Sequence, residues 1–160
     1  MPPMVLIAAL LSQLVFASVA RAENDADHTL EAIFHLFDEN DDGFITIDEA
    51  NRYLAKTFAE MDRGGAGRIG MAEFRQFSFG LADVAAAEGK SEPYEKAKDA
   101  IFNRWDKAKK GYLTLADYRA GVIGDAKAAR RDGKPDPQGR VDFDSFKRAR
   151  FVRQLMDSLN

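Results

Sequence analysis

Twelve residues, Asp38-Glu39-Asn40-Asp41-Asp42-Gly43-Phe44-Ile45-Thr46-Ile47-Asp48-Glu49, constrain this chain more than any other stretch. Side-chain oxygens fall on Asp38, Asn40 and Asp42, at positions 1, 3 and 5. Gly43 follows at position 6, where a sharp bend leaves no room for the conformational preference of an L side chain. Phe44 at position 7 offers its backbone carbonyl, Thr46 at position 9 reaches through a bridging water, and Glu49 at position 12 is long enough to present both carboxylate oxygens. Hard cations such as Ca²⁺ take about six to eight oxygens at roughly 2.3–2.6 Å, and this spacing aims that many at one point. Ile45, at position 8, points the other way. Just upstream, Leu30, Ile33, Phe34 and Phe37 recur at i, i+3, i+4 and i+7, the stripe of a helix that ends at Asp38. Asp, Asn and Gly are ordinary turn residues too, but a turn requires neither the closing glutamate nor the incoming helix.

Loop and flanks together resemble the EF-hand superfamily, and the resemblance extends weakly along the rest of the chain. A second frame, Asp62 to Glu73, keeps Asp62, Gly67, Ile69 and Glu73 at positions 1, 6, 8 and 12 but has Gly64 and Ala66 at positions 3 and 5. A third, Asp106 to Asp117, keeps Gly111 and Leu113 but carries Ala108 and Lys110 where oxygens belong, with Lys107 and Lys109 beside them. A fourth, Lys134 to Ser145, matches only through Gly139 and Val141. The expectation is therefore an all-α fold of two lobes. Each lobe pairs two helix-loop-helix units through a short β-bridge at position 8, Ile45 with Ile69 and Leu113 with Val141. One Ca²⁺ is expected, held by Asp38, Asn40, Asp42, Phe44, Thr46 and Glu49; the second loop is at most a weak site and the third metal-free. The spacing of the first two frames is similar to that of lanthanide-binding EF-hand proteins. Glu39 at position 2 and Thr46 at position 9 depart from that family's proline and aspartate.

Helices are expected over Glu49 to Met61, with Tyr53, Leu54, Thr57, Phe58 and Met61 on its apolar face, over Met71 to Gly80, from Ser91 with Tyr94, Ala97, Ile101 and Trp105, and over Phe143 to Leu159. Val5 to Ala20 is an apolar run short for a membrane span, and Ala20-Arg21-Ala22 has the small-x-small form of a signal cleavage site. Residues 1–22 thus read as a cleaved signal peptide, 23–80 as the first EF-hand pair, 81–92 as a linker and 93–160 as the second pair, in a secreted or periplasmic protein. The absence of cysteine excludes thiolate metal sites, thiol catalysis and disulfides. The two histidines, His28 and His35, lie on one helix and read as surface residues, and no nucleophile motif or phosphate-cradling loop is present, so no enzyme is expected. Residues 23–90 hold fifteen acids against six bases, whereas residues 91–160 hold eleven acids against sixteen bases. An acidic front half suits cation binding. The basic back half, with Lys147, Arg148, Arg150 and Arg153 on its last helix, suggests a protein partner or an anionic membrane surface. No nucleic-acid partner is expected. Function then reads as calcium binding by a buffer or sensor, or as an interaction protein in which one Ca²⁺ is structural.

Overall fold

A computed structural model describes residues 25–129 and 136–160; the apolar segment and cleavage pattern of residues 1–22, and Lys134 and Pro135, lie outside the described residues. Helix α1 (25–37) buries Ala26, Leu30, Phe34 and Phe37, the stripe expected of it. Helix α2 (Ile47–Met61) starts two residues earlier than its apolar pattern suggests because Thr46 caps it. The Thr46 side chain accepts from the Glu49 N–H and the Glu49 carboxylate accepts from the Thr46 N–H, a reciprocal capping box. Strand β1 (Ile69–Gly70) leads to α3 (Met71–Gln76), α4 (Ala82–Ala87) and α5 (Ser91–Trp105). Strand β2 (Tyr112–Leu113) follows, then α6 (Leu115–Ala129), α7 (Phe143–Arg148) and α8 (Arg150–Asp157). The chain is mostly helical, and β1 with β2 forms the one sheet among the described residues.

Two expected helices are shorter than the sequence suggests. The Phe-rich helix stops at Gln76, and the segment after it turns through Phe79 and Gly80, both at positive φ, before α4 forms inside the expected linker. The terminal helix is broken at Ala149, whose ψ of 135° is extended. Phe146 and Phe151, both buried, are five residues apart and would fall on divergent faces of one helix. The break lets both rings reach the core, where they meet at a centroid distance of 6.5 Å.

The loops pair differently from the expectation. Ile69 is opposite Leu113 in the antiparallel β1–β2 ladder, and Ile45 bridges Val141. Loop 2 therefore pairs with loop 3, and loop 1 with loop 4, correcting the expected Ile45–Ile69 and Leu113–Val141 contacts. The reason is in the spacing. Helix α2 leaves loop 1 and enters loop 2, so its 15 residues hold those two loops apart at opposite ends of a four-turn rod. Helix α6 leaves loop 3 and runs toward loop 4 over the same length. Packing α2 antiparallel to α6 then brings loop 1 beside loop 4 at one end and loop 2 beside loop 3 at the other. Each pair draws one loop from residues 23–80 and one from 93–160.

Between the ends, α2 and α6 are pinned together. The buried Thr57 and Tyr118 hydroxyls lie 3.1 Å apart, and Arg119 donates from Nη2 to the Asn51 carbonyl at 2.9 Å. A second buried network joins α5, α6 and α8: Arg104 pairs with Asp125 at 2.6 Å, the Trp105 indole N–H donates to the same carboxylate at 3.2 Å, and Arg104 also donates to the Gln154 side chain at 2.6 Å. Gly121 lies directly against the Trp105 ring, where any Cβ would overlap it.

Candidate metal centre

All four frames share one backbone device. The glycine at position 6 is left-handed in each, with φ of 83° at Gly43, 71° at Gly67, 79° at Gly111 and 75° at Gly139. That turn curls the chain back on itself, and glycine adopts it without steric cost. In loop 1 the Asp38 carboxylate accepts the N–H groups of Asp42 and Gly43 at 3.1 and 2.8 Å, which closes the first turn around it. Asn40 Oδ1 accepts the Asp42 N–H at 3.0 Å, and Asp42 Oδ1 accepts the Phe44 N–H at 3.0 Å, so the exposed position-3 and position-5 side chains turn back onto the loop backbone. Glu49 reaches back from the first turn of α2. Its Oε2 accepts from the Thr46 N–H and hydroxyl at 2.8 and 2.6 Å. Burial works to raise the Glu49 carboxyl, but hydrogen bonds from the Thr46 hydroxyl and N–H, and from the N–H groups of Asn40 and Glu39, outweigh it and leave the group below its ordinary value.

Asp38 and Glu49 are each 3% exposed, and neither forms an ion pair with a Lys or Arg among the described residues. Two buried carboxylates at the two ends of one loop are costly without a counter-charge. That is the environment a divalent cation completes, and the oxygen-only donor set suits Ca²⁺. Glu39 is turned away onto α2, where Arg52 holds it at 2.8 Å. His35 is exposed, as expected of a surface residue, but it stands at the rim of the loop. Its Nδ1 is 3.1 Å from Asp41 Oδ1, and with Asp38 these residues form a group whose ligand atoms all lie within 4.8 Å. Asp41 reaches His35 because its backbone is left-handed, at φ 55°, which nothing in the residue order announces.

The other loops keep the curl but not the ligand set. Asp62 accepts from Ala66 and Gly67 at 2.9 and 2.7 Å, yet positions 3 and 5 lack side-chain oxygens, and Glu73, which caps α3 as Glu49 caps α2, is exposed. Asp106 accepts from Lys110 and Gly111 in the same way, at 2.9 and 2.7 Å. Here the position-5 ammonium of Lys110 bonds the position-12 carboxylate of Asp117 at 2.6 Å, so a side-chain cation bridges the two positions a metal would join. In loop 4 Asp136, at position 3, takes over the curl by accepting from the Gln138 and Arg140 N–H groups, and its carboxylate is paired with the Arg140 guanidinium at 3.0 Å.

Searches of curated proteins and of solved structures return no match. One family model, described as EF hand, matches residues 30–52, which span most of α1, the whole of loop 1 and the start of α2. Residues 30–52 of this chain therefore form an EF hand, the helix-loop-helix unit of calcium-binding proteins.

Proposed function

We propose that the chain binds one Ca²⁺ in the Asp38–Glu49 loop through Asp38, Asn40, Asp42, the Phe44 carbonyl, Thr46 by way of a water, and Glu49. It would serve as a calcium buffer that is secreted or resides in a periplasm. The observation that carries this reading is the contrast in charge between the loops. Loop 1 has buried carboxylates at both ends that no Lys or Arg among the described residues pairs with, whereas the closing carboxylate of loop 3 is neutralised by Lys110 and the Asp136 carboxylate of loop 4 by Arg140. Bound there, Ca²⁺ would offset most of the charge of the ligand carboxylates Asp38, Asp42 and Glu49 and tie α1 to α2.

Buffering is favoured over sensing because α2 is held at both ends. A sensor EF hand opens by swinging helices apart to expose a groove. Here the helix that carries Glu49 leads through loop 2 to the β1–β2 pair and is bonded to α6 through Thr57 and Asn51. Export is supported by the apolar run Val5–Ala20 and the Ala20-Arg21-Ala22 pattern. Titration calorimetry should give a single calcium site, and two or more sites of similar affinity would overturn the assignment. A surface-hydrophobicity dye should respond equally with and without calcium. A calcium-dependent rise would make the protein a sensor.

A second reading, an interaction protein with a structural Ca²⁺, is favoured by one feature. The exposed side chains of Arg148, Arg150 and Arg153 line a single open cleft beside Ala128 and Ala129, while Lys147 turns aside toward Asp144 and the Phe143 ring. Binding to vesicles containing anionic lipid, weakening as salt rises, supports this reading. Indifference to them leaves the buffer.

A further inference from the structure

Arg140 belongs to loop 4, which lacks a ligand set, yet it stands at the edge of loop 1. Its neighbour Val141 exchanges both backbone hydrogen bonds with Ile45, at 2.8 and 2.9 Å, so the Arg140 backbone is fixed against the EF hand. The guanidinium carbon lies 4.0 Å from the centroid of the Phe44 ring. Phe44 is the residue whose carbonyl is the position-7 ligand. Asp136 accepts from Arg140 Nε, Nη2 and the backbone N–H at 3.3, 3.0 and 3.0 Å, so the charged head is held in place rather than free in solvent. From there it also feels the charge of Asp42, the position-5 ligand. A fixed positive charge beside a divalent-cation site repels the incoming ion, and partial burial lessens its screening.

The opposite end of the molecule separates packing from charge. There Arg68, at position 7 of loop 2, lies over the Tyr112 ring, at position 7 of loop 3, at 5.3 Å. An arginine clasped on an aromatic ring thus joins both loop pairs, including the pair with no complete ligand set. Only at loop 1 does the arginine of the clasp stand beside a full set of metal ligands.

We infer that Arg140 is a positioning residue that lowers the calcium affinity of loop 1: its stack on Phe44 holds the position-7 carbonyl, and its charge opposes the ion. The inference rests on loop 1 being the calcium site. Its two contributions have opposite signs, and three variants separate them. Arg140→Met keeps a long side chain on the Phe44 ring and removes the charge. Arg140→Ala removes both. Asp136→Asn leaves the arginine charged and takes away its neutralising partner.

In calorimetry at low salt, Arg140→Met should bind calcium about three- to tenfold more tightly than the wild type. Arg140→Ala should gain less, and Asp136→Asn should bind more weakly. The gap between Arg140→Met and the wild type should close toward about 1 M salt, where screening acts within about 3 Å; a purely structural clasp would not respond to salt. Glu49→Gln, titrated alongside, separates the two levels of the argument. If it binds like the wild type, the loop-1 assignment fails and takes the role of Arg140 with it. If it loses binding while Arg140→Met matches the wild type at low salt, or binds more weakly, the role of Arg140 alone is overturned.

Discussion

Glu49→Gln tests the metal site most directly, because the structure separates what the substitution keeps from what it removes. The Glu49 Oε2 atom accepts twice from Thr46, and a glutamine carbonyl can occupy that place, so the cap of α2 survives. What changes is the other half of the group. The charge is lost, and the second carboxylate oxygen, the other half of the bidentate clamp, becomes an amide NH₂ that cannot ligate a cation. Weakening charge-assisted hydrogen bonds to neutral ones costs about 1 kcal/mol, partly offset because a buried charge is no longer desolvated. The calcium-free protein should therefore melt within a few degrees of the wild type. Calcium at about 100 times its dissociation constant should stabilise the wild type by about 2.7 kcal/mol. At roughly 2–4 °C per kcal/mol for a chain of this size, that is a rise of about 5–10 °C in melting temperature. The variant should show almost none of it, while Glu73→Gln, at the matching position of loop 2, should show all of it. Thermal melts with and without calcium, with magnesium as the control, measure both. A Glu49→Gln protein that still gains the wild-type increment refutes the site as drawn.

Thr57→Val should cost about 1–3 kcal/mol in chemical denaturation, because it strands the fully buried Tyr118 hydroxyl. Tyr118→Phe should cost nearer to about 1 kcal/mol, since Thr57 keeps its bond to the Leu54 carbonyl; equal costs would mean that the hydroxyl pair does not link α2 to α6. Gly121→Ala should destabilise by about 1–3 kcal/mol despite the helix-favouring change, because the new methyl overlaps Trp105, and a neutral result would show that the indole moves aside. The Lys110 ammonium, with the Thr114 N–H and hydroxyl, holds the Asp117 carboxyl down to about 2 from 3.8. A lowered pKa in the folded state stabilises above the unfolded value, and that stability is lost as pH falls through the folded one. Stability should therefore drop between about pH 4 and pH 2, by about 1 kcal/mol from this group after solvent screening, and Lys110→Met should shrink that drop.

Much of the site could be read from residue order because its determinants are local. The oxygens at positions 1, 3, 5 and 12, the glycine at position 6 and the stripe of α1 all lie within one short segment; Gly43 takes the left-handed turn and Leu30, Phe34 and Phe37 are buried, as that pattern requires. The same holds for the position-8 residues: Ile45, Ile69 and Leu113 are buried. What the sequence pattern misjudged was non-local. Adjacent frames invite pairing of adjacent loops, but the lengths of α2 and α6 forbid it. No glycine or proline marks the break at Ala149; the need to bury both Phe146 and Phe151 makes it, and that need exists only once the other helices are in place. Likewise, Lys110 reads as a charge hostile to a metal, and only the folded loop shows it bound to a carboxylate of that same loop.

The nested pairing also sets an order in which the chain can close. Loops 2 and 3 meet across a modest stretch of sequence and lie inside the span between loops 1 and 4, like brackets within brackets. Closing the inner pair costs less chain entropy, and it positions α2 and α6 for the outer one. Ile45 must wait for Val141, about a hundred residues downstream, before its strand edge is covered. During synthesis the calcium loop is thus made first but is the last to be backed by its partner. A cation held there early would organise α1 and the start of α2 well before the rest of the scaffold arrives.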